Sequence, residues 1–170
     1  MERRYISTEM STRFPISRKF APSWQHHIAR YAFALSYCYR KSVLDAGCQI
    51  GFGGNILSYV ANSVTFADMN KKYTDFASSM KNMCPTSYVV VDFEKTFPVG
   101  SWDTIVSFEV IEHLENPELF LENISKALNP NGKFVFSVPK MVANHEHKHL
   151  YDENKIKELV YSSQGTRLVP

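Results

Sequence analysis

The chain has 170 residues, 44% of them hydrophobic and 21% charged, with a net charge of +2. That composition suits one globular domain with a core of its own. The small charge offers no electrostatic case for nucleic acid, and no apolar run reaches the length of a membrane span.

Residues 1–22 contain Pro15 and Pro22 and carry Arg3, Arg4, Arg13, Arg18 and Lys19. They show little periodicity and read as an N-terminal arm or lid, with a single domain over 23–170. From Ser23 the segment "SWQHHIARYAFALSYCYR" places Trp24, Ile28, Tyr31, Ala32 and Leu35 at helical steps. The rhythm then becomes strand, loop, helix, repeated. Strands are expected at 42–47, 63–69, 87–93, 102–110 and 133–139. Helices are expected at 55–61, 70–83, 117–128 and 152–161, the last capped by Asp152, and "NPNG" at 129–132 is expected to turn.

Near-continuous apolar strands alternating with helices predict an α/β fold: a Rossmann-like parallel sheet with helices on both faces. Crossovers of one hand bring the loops after the strands to one edge, where such sheets hold ligands. Asp45, Asp68 and Asp92 fall at or near those ends. Phe33, Phe66 and Phe108 are expected in the core. Cys38, Cys48 and Cys84 contain no CxxC pair, so they support neither a zinc knuckle nor a disulfide framework and suit a reducing, cytoplasmic setting.

The stretch "SVLDAGCQIGFGGN" (42–55) runs from a strand into a glycine-rich loop. Gly47, Gly51, Gly53 and Gly54 are expected to let the backbone approach a ligand. The spacing is not the G-x-G-x-x-G of dinucleotide folds, and no P-loop motif occurs. Asp45, a carboxylate inside the loop motif, suits a cationic ligand better than a phosphate.

"VLDAGCQIG", "VTFADMN", "VVVDFE" and the block "WDTIVSFEVIEHLENPELFLENISKALNPNGKFVFSVPK" occur in that order. Together they resemble the ordered motifs of class I S-adenosylmethionine-dependent methyltransferases, of the small-molecule, ubiquinone-methyltransferase-like type. The resemblance covers roughly residues 24–160 and implies S-adenosylmethionine as cofactor. It implies that Asp45, Gly47 and Gln49 serve the cofactor's amino-acid end and that Gly51 lets the loop pass beneath it. Asp68 would accept from both ribose hydroxyls, Met69 would lie on the adenine, Asp92 would accept from the adenine amino group, and Phe93 would donate its backbone N–H. Ser107, Phe108 and Glu109 would line the methionine end, and Arg30 would pair with the carboxylate.

Two departures from the family stand out. Gln49 sits where the motif carries glycine. After Pro139 too little chain follows for the family's sixth and seventh strands, so the sheet is expected to stop after the fifth. The edge that this exposes is a candidate for pairing between copies of the chain.

In "FEVIEHL", a helix would put Glu109, Glu112 and His113 on one face. His145, His147 and His149 follow in "NHEHKHLY". His113 and His149 are the candidate bases, with Glu112 as their partner. A similar E-x-x-E-H set with a distant histidine binds metal in small-RNA 2′-O-methyltransferases. Because "EHL" is common in the wider family without an ion, no metal is expected here. The expected activity is methyl transfer to an oxygen or nitrogen of a small molecule or sugar, with neither nucleic acid nor membrane as partner. The alternatives are a metal-assisted RNA 2′-O-methyltransferase and a degenerate fold that only binds.

Overall fold

The computed structural model describes residues 21–139 and 145–162. The expected arm lies outside the described residues, apart from the start of the first helix. That helix, α1, runs Ala21–Cys38. It is followed by β1 (Ser42–Ala46), α2 (Phe52–Leu57), β2 (Ser63–Asp68), α3 (Lys71–Ser79), β3 (Thr86–Val90) and β4 (Trp102–Phe108). A 3-10 turn at Ile111–His113 precedes α4 (Pro117–Ala127), β5 (Leu128–Ser137) and α5 (Glu153–Ser162).

All four strand pairings are parallel, and the five strands lie in the order β3-β2-β1-β4-β5. The chain leaves β1 toward β2 and β3 and later returns to β1's other side with β4. The strand order therefore reverses between β1 and β4, which is where this architecture opens a crevice for a ligand.

Alternation along the strands sends side chains to two cores. Val43, Val64, Phe66, Val106 and Val135 pack with α1, α2 and α3 through Tyr31, Ala34, Cys38, Leu57 and Ala77. Leu44, Ala67, Ile105 and Phe134 pack on the other face with Phe120, Leu121 and Ile124 of α4 and with Leu159 and Val160 of α5. The central strands are buried on both sides, as their apolar runs predict.

Side chains fix several helix starts. Asn70 accepts from the Lys72 N–H at 3.0 Å. Asn116 accepts from the Leu119 N–H at 3.0 Å, with Pro117 in the first turn. Asp152 accepts from the Lys155 N–H at 2.9 Å, the expected cap of α5.

Three expectations need correction. Ile28 and Ala32 of α1 are exposed, and the inward face carries His27, Tyr31, Ala34 and Cys38. Polar residues on the inward face hid it from an apolar count. Phe33 is 55% exposed rather than core. The residues of "NPNG" do not separate helix from strand. Leu128 already pairs with Trp102, the register then shifts, and Lys133 pairs with Thr104. Asn131, with φ at 67°, carries the irregularity.

Candidate active site

Asp45 lies near the carboxyl end of β1 with no exposed surface. Its Oδ1 accepts from the Tyr31 hydroxyl at 3.0 Å, and its Oδ2 has no hydrogen-bond partner among the described residues. Burial raises its carboxyl pKa to about 7, with the Tyr31 bond pulling the other way and the Asp68 charge adding to the rise.

Beyond Asp45 the loop is pinned to β2. The N–H groups of Gly47 and Cys48 both donate to the Ala67 carbonyl, at 2.8 and 3.0 Å. Gln49 has φ at 47°, in the left-handed region that the family's usual glycine reaches freely. The substitution thus keeps glycine's backbone conformation. In that conformation the Gln49 N–H donates to Asp68 Oδ2 at 2.9 Å.

The glycines serve packing as well as access. A Cβ on Gly53 would overlap the Tyr31 ring, and one on Gly54 would overlap Phe66. On Gly51 it would overlap Ala77 of α3, and on Gly47 the Val110 side chain. Packing therefore requires glycine at all four positions, apart from any approach of the backbone to a ligand. Those directions are already filled by the protein's own side chains.

Asp68 ends β2 and is 7% exposed. Its Oδ1 accepts from the Asn70 N–H at 2.8 Å while Oδ2 accepts from Gln49. Two backbone donors thus lock the carboxylate, yet each oxygen keeps a lone pair for another donor. Burial raises its pKa, and the backbone bonds work against that rise. Met69 beside it is 68% exposed.

Asp92 follows β3. It accepts from the Glu94 N–H at 3.1 Å and pairs with Lys95 at 2.7 Å, and these contacts hold its carboxyl below the usual range. The Phe93 ring packs into the core against Phe97 and Phe120.

At the end of β4, Ser107 is fully buried and its Oγ lacks a partner among the described residues. The Phe108 ring meets Tyr31 edge-on at 4.9 Å. Glu109 has φ at 58°, and this single left-handed residue splits "FEVIEHL". The expected common helical face of Glu109, Glu112 and His113 does not form.

Glu109 instead turns toward α1 and β5. Its Oε1 accepts from Ser137 Oγ at 2.7 Å. Its Oε2 lies 3.1 Å from Arg30 Nη2, an ion pair without the angle of a hydrogen bond. Arg30, expected to face a cofactor carboxylate, is thus already engaged. Its Nη1 also lies 3.3 Å from His27 Nδ1. His27 is depressed to about 4 by burial, with the Arg30 charge adding to the effect.

Glu112 and His113 lie in the 3-10 turn beyond. Glu112 is fully buried, and neither carboxyl oxygen has a hydrogen bond among the described residues. Burial raises its pKa to about 8. His113 Nε2 is 3.7 Å from Glu112 Oε1, and His113 Nδ1 is 2.9 Å from the Glu146 carbonyl.

The His147 ring meets His113 at 5.0 Å and 73°. One ligand atom each from Glu112, His113 and His147 falls within a 4.8 Å span, a set able to hold a cation. Sequence spacing points to His149, but it is His147 that joins Glu112 and His113. The His149 N–H donates to the Glu112 carbonyl at 3.2 Å, and its ring lies 6.0 Å from Tyr151. His145 is exposed and lies 3.8 Å from Glu146.

Sequence reading passed over the hydroxyl of Tyr31 and the side chain of Val110. Both are ordinary core residues until β1 and β4 are set side by side.

Acids at or just past three strand ends, a glycine loop at the sheet's reversal point and a group of buried Glu112 with part-buried His113 and His147 sit on a Rossmann-like α/β fold. The methyltransferase-domain family matches residues 44–136, and the chain belongs to that family of class I S-adenosylmethionine-dependent methyltransferases.

Among curated relatives, it is 28% identical over 127 residues to a protein of Mycolicibacterium smegmatis named a probable S-adenosylmethionine-dependent methyltransferase. That match covers 70% of this chain and 46% of the other. It is 30% identical over 100 residues to the ubiquinone biosynthesis O-methyltransferase of Rickettsia typhi, covering 58% of this chain and 41% of that protein. The chain spans less than half the length of these relatives. Among solved structures, the N-methyltransferase NodS of Bradyrhizobium japonicum, in complex with S-adenosyl-L-homocysteine, aligns with a TM-score of 0.72. The two are 18% identical, with 91% of this chain and 83% of NodS covered. No helix among the described residues is long and apolar enough to cross a membrane.

Proposed function

We propose that the chain is a S-adenosylmethionine-dependent methyltransferase that moves a methyl group to an oxygen or nitrogen of a small molecule or sugar. The observation that carries this reading is Asp68. Its carboxylate is locked by two backbone donors at the end of β2 and keeps free lone pairs for ribose hydroxyls. The orphaned buried oxygens of Asp45 and Ser107, at the ends of neighbouring strands, fit a polar, cationic ligand end.

Asp68 would hold the ribose, with Met69 against the adenine. Asp92 would accept from the adenine amino group, and Phe93 would donate its N–H to the ring. Asp45, Gly47 and Gln49 would hold the amino-acid end, Gly51 would shape the loop, and Ser107, Phe108 and Glu109 would line the methionine arm. Arg30 would reach the carboxylate only by loosening its pair with Glu109.

When bound, S-adenosylmethionine supplies an electrophilic methyl group on a positive sulfur. The protein's share is alignment, exclusion of water and removal of the acceptor's proton. His113 is the candidate base for a hydroxyl acceptor, with Glu112 beside it, whose burial favours the protonated carboxyl, and with His149 bonded to the Glu112 backbone. Oxygen acceptors draw support from the ubiquinone O-methyltransferase relatives, and nitrogen acceptors from NodS.

A second reading has its own support. The Glu112, His113 and His147 group has the donor types for a divalent ion, which would acidify a hydroxyl acceptor, whether small or the 2′-hydroxyl of RNA.

Incubating the protein with methyl-labelled S-adenosylmethionine and a fractionated cell extract tests the first reading. Label is expected in the small-molecule fraction, and Asp68→Ala is expected to reduce it strongly at limiting cofactor. Label confined to RNA, and dependent on added manganese, would replace the first reading with the second.

A further inference from the structure

A run of contacts joins the loop of Asp92 to the 3-10 turn of Glu112 and His113. It begins at Asp92, whose Oδ1 accepts from the Glu94 N–H at 3.1 Å. Glu94 Oε1 in turn accepts from the Glu115 N–H, two residues past His113. Lys148 Nζ meets both acids, at 2.7 Å from Glu115 Oε1 and 3.7 Å from Glu94 Oε1. These contacts hold Lys148 firmly charged, the Glu115 bond foremost. The Lys148 backbone N–H donates to the Glu112 carbonyl at 2.8 Å.

Residues 145–150 form neither helix nor strand, so side-chain and carbonyl contacts fix their place. Contacts that hold them include the Glu112 carbonyl, the His113 imidazole against the Glu146 carbonyl, the His113–His147 and His149–Tyr151 ring contacts, the Lys148 clasp and the His145–Glu146 contact. A single exposed ion pair usually contributes little. Here one lysine spans two loops, and its own backbone N–H seats the segment that carries His147.

We propose that Glu94 and Lys148 are positioning residues, a clasp through which occupancy of the Asp92 end of the cleft sets the placement of Glu112, His113 and His147. The proposal rests on the cofactor reading above. Glu94 shares a loop with Asp92, so a ligand that settles that loop settles Glu94. Glu94 then fixes the loop after His113 through the Glu115 N–H, and fixes His147 through Lys148. Coupling of this kind is demonstrated only when perturbing the link changes how one end responds to the other.

The test uses the full chain, with S-adenosylhomocysteine as the probe. Imidazole NMR signals of His113 and His147 are followed with and without it in wild type, Lys148→Met, Lys148→Arg and Glu94→Gln. In wild type, the probe is expected to shift both histidines. In Lys148→Met, probe affinity stays within about threefold while the histidine shifts shrink about twofold or more. Lys148→Arg restores them, a rescue that loss of packing alone would not give. Glu94→Gln, which keeps an oxygen for the Glu115 N–H but removes the charge, falls between.

Histidine shifts in Lys148→Met equal to those of wild type would overturn the clasp and leave the cofactor reading standing. Failure of the wild type to bind the probe would remove the cofactor reading and the clasp with it. Lys148 is exposed, so a folded Lys148→Met is expected, and thermal unfolding verifies it.

Discussion

The Tyr31 hydroxyl donates to Asp45 across 3.0 Å of fully buried interior, joining α1 to the strand at the centre of the sheet. This bond stabilises the charged form of Asp45. Tyr31→Phe should therefore destabilise the fold by about 1–2 kcal/mol, and more at pH 8 than at pH 5. Urea unfolding at the two pH values measures the difference. Equal losses at both would show that Asp45 does not ionise in the folded state.

Asp45 itself should tilt the pH profile. Its folded pKa of about 7 lies above its unfolded value of about 3.9, so the folded state holds the proton more tightly. The favourable contribution is complete below the unfolded value and is lost as pH rises through about 7. Asp45→Asn should flatten that fall and gain stability relative to wild type as pH climbs from 5 to 8. A parallel fall in both proteins would contradict the assignment.

Glu112 should act in the same direction over a higher window. Its folded pKa of about 8 exceeds an unfolded value of about 4.3, so stability falls as pH rises between them. Glu112→Gln is expected to match wild type near pH 5 and to exceed it by about 1 kcal/mol or more at pH 9. Denaturation midpoints across pH check this.

Gly53→Ala places a methyl into the Tyr31 ring and should destabilise by about 2–3 kcal/mol. Relief in the double variant Gly53→Ala/Tyr31→Leu, compared with Tyr31→Leu alone, would identify the ring as the cause. An innocuous Gly53→Ala would mean that α1 does not seat there.

Gln49 occupies a left-handed backbone that costs a non-glycine residue about 1–2 kcal/mol, against about 0.4–1 kcal/mol of added chain entropy for glycine. Gln49→Gly should thus be stabilising by up to about 1 kcal/mol, whereas Gln49→Val should be clearly destabilising. The order of melting temperatures, Gly above Gln above Val, is the readout.

Much of this was legible in the sequence because strands and helices announce themselves by period. The alternation of apolar strands with helices specifies the parallel sheet, and the pattern of acids at strand ends places Asp45 and Asp68 at its carboxyl edge. What escaped has physical reasons. One backbone angle at Glu109 broke a helical face that spacing alone implied, and sent Glu109 to Arg30 and Ser137. In α1, Tyr31 of the apolar series is buried while Ile28 and Ala32 are exposed, because His27, Ala34 and Cys38 complete the inward face. His147 and His149 differ only in how a loop is held, and Lys148, which holds it, carries no signal in its own neighbourhood.

The central claim is that the Asp68 end of this sheet holds an adenosine bearing a sulfur arm. Isothermal calorimetry with S-adenosylhomocysteine tests it most directly. Saturable one-to-one binding to the wild type is predicted, with Asp68→Ala weakening it by about 1.5–3 kcal/mol through loss of charge-assisted hydrogen bonds. No binding heat at any temperature tried, or equal affinity in Asp68→Ala, would contradict it.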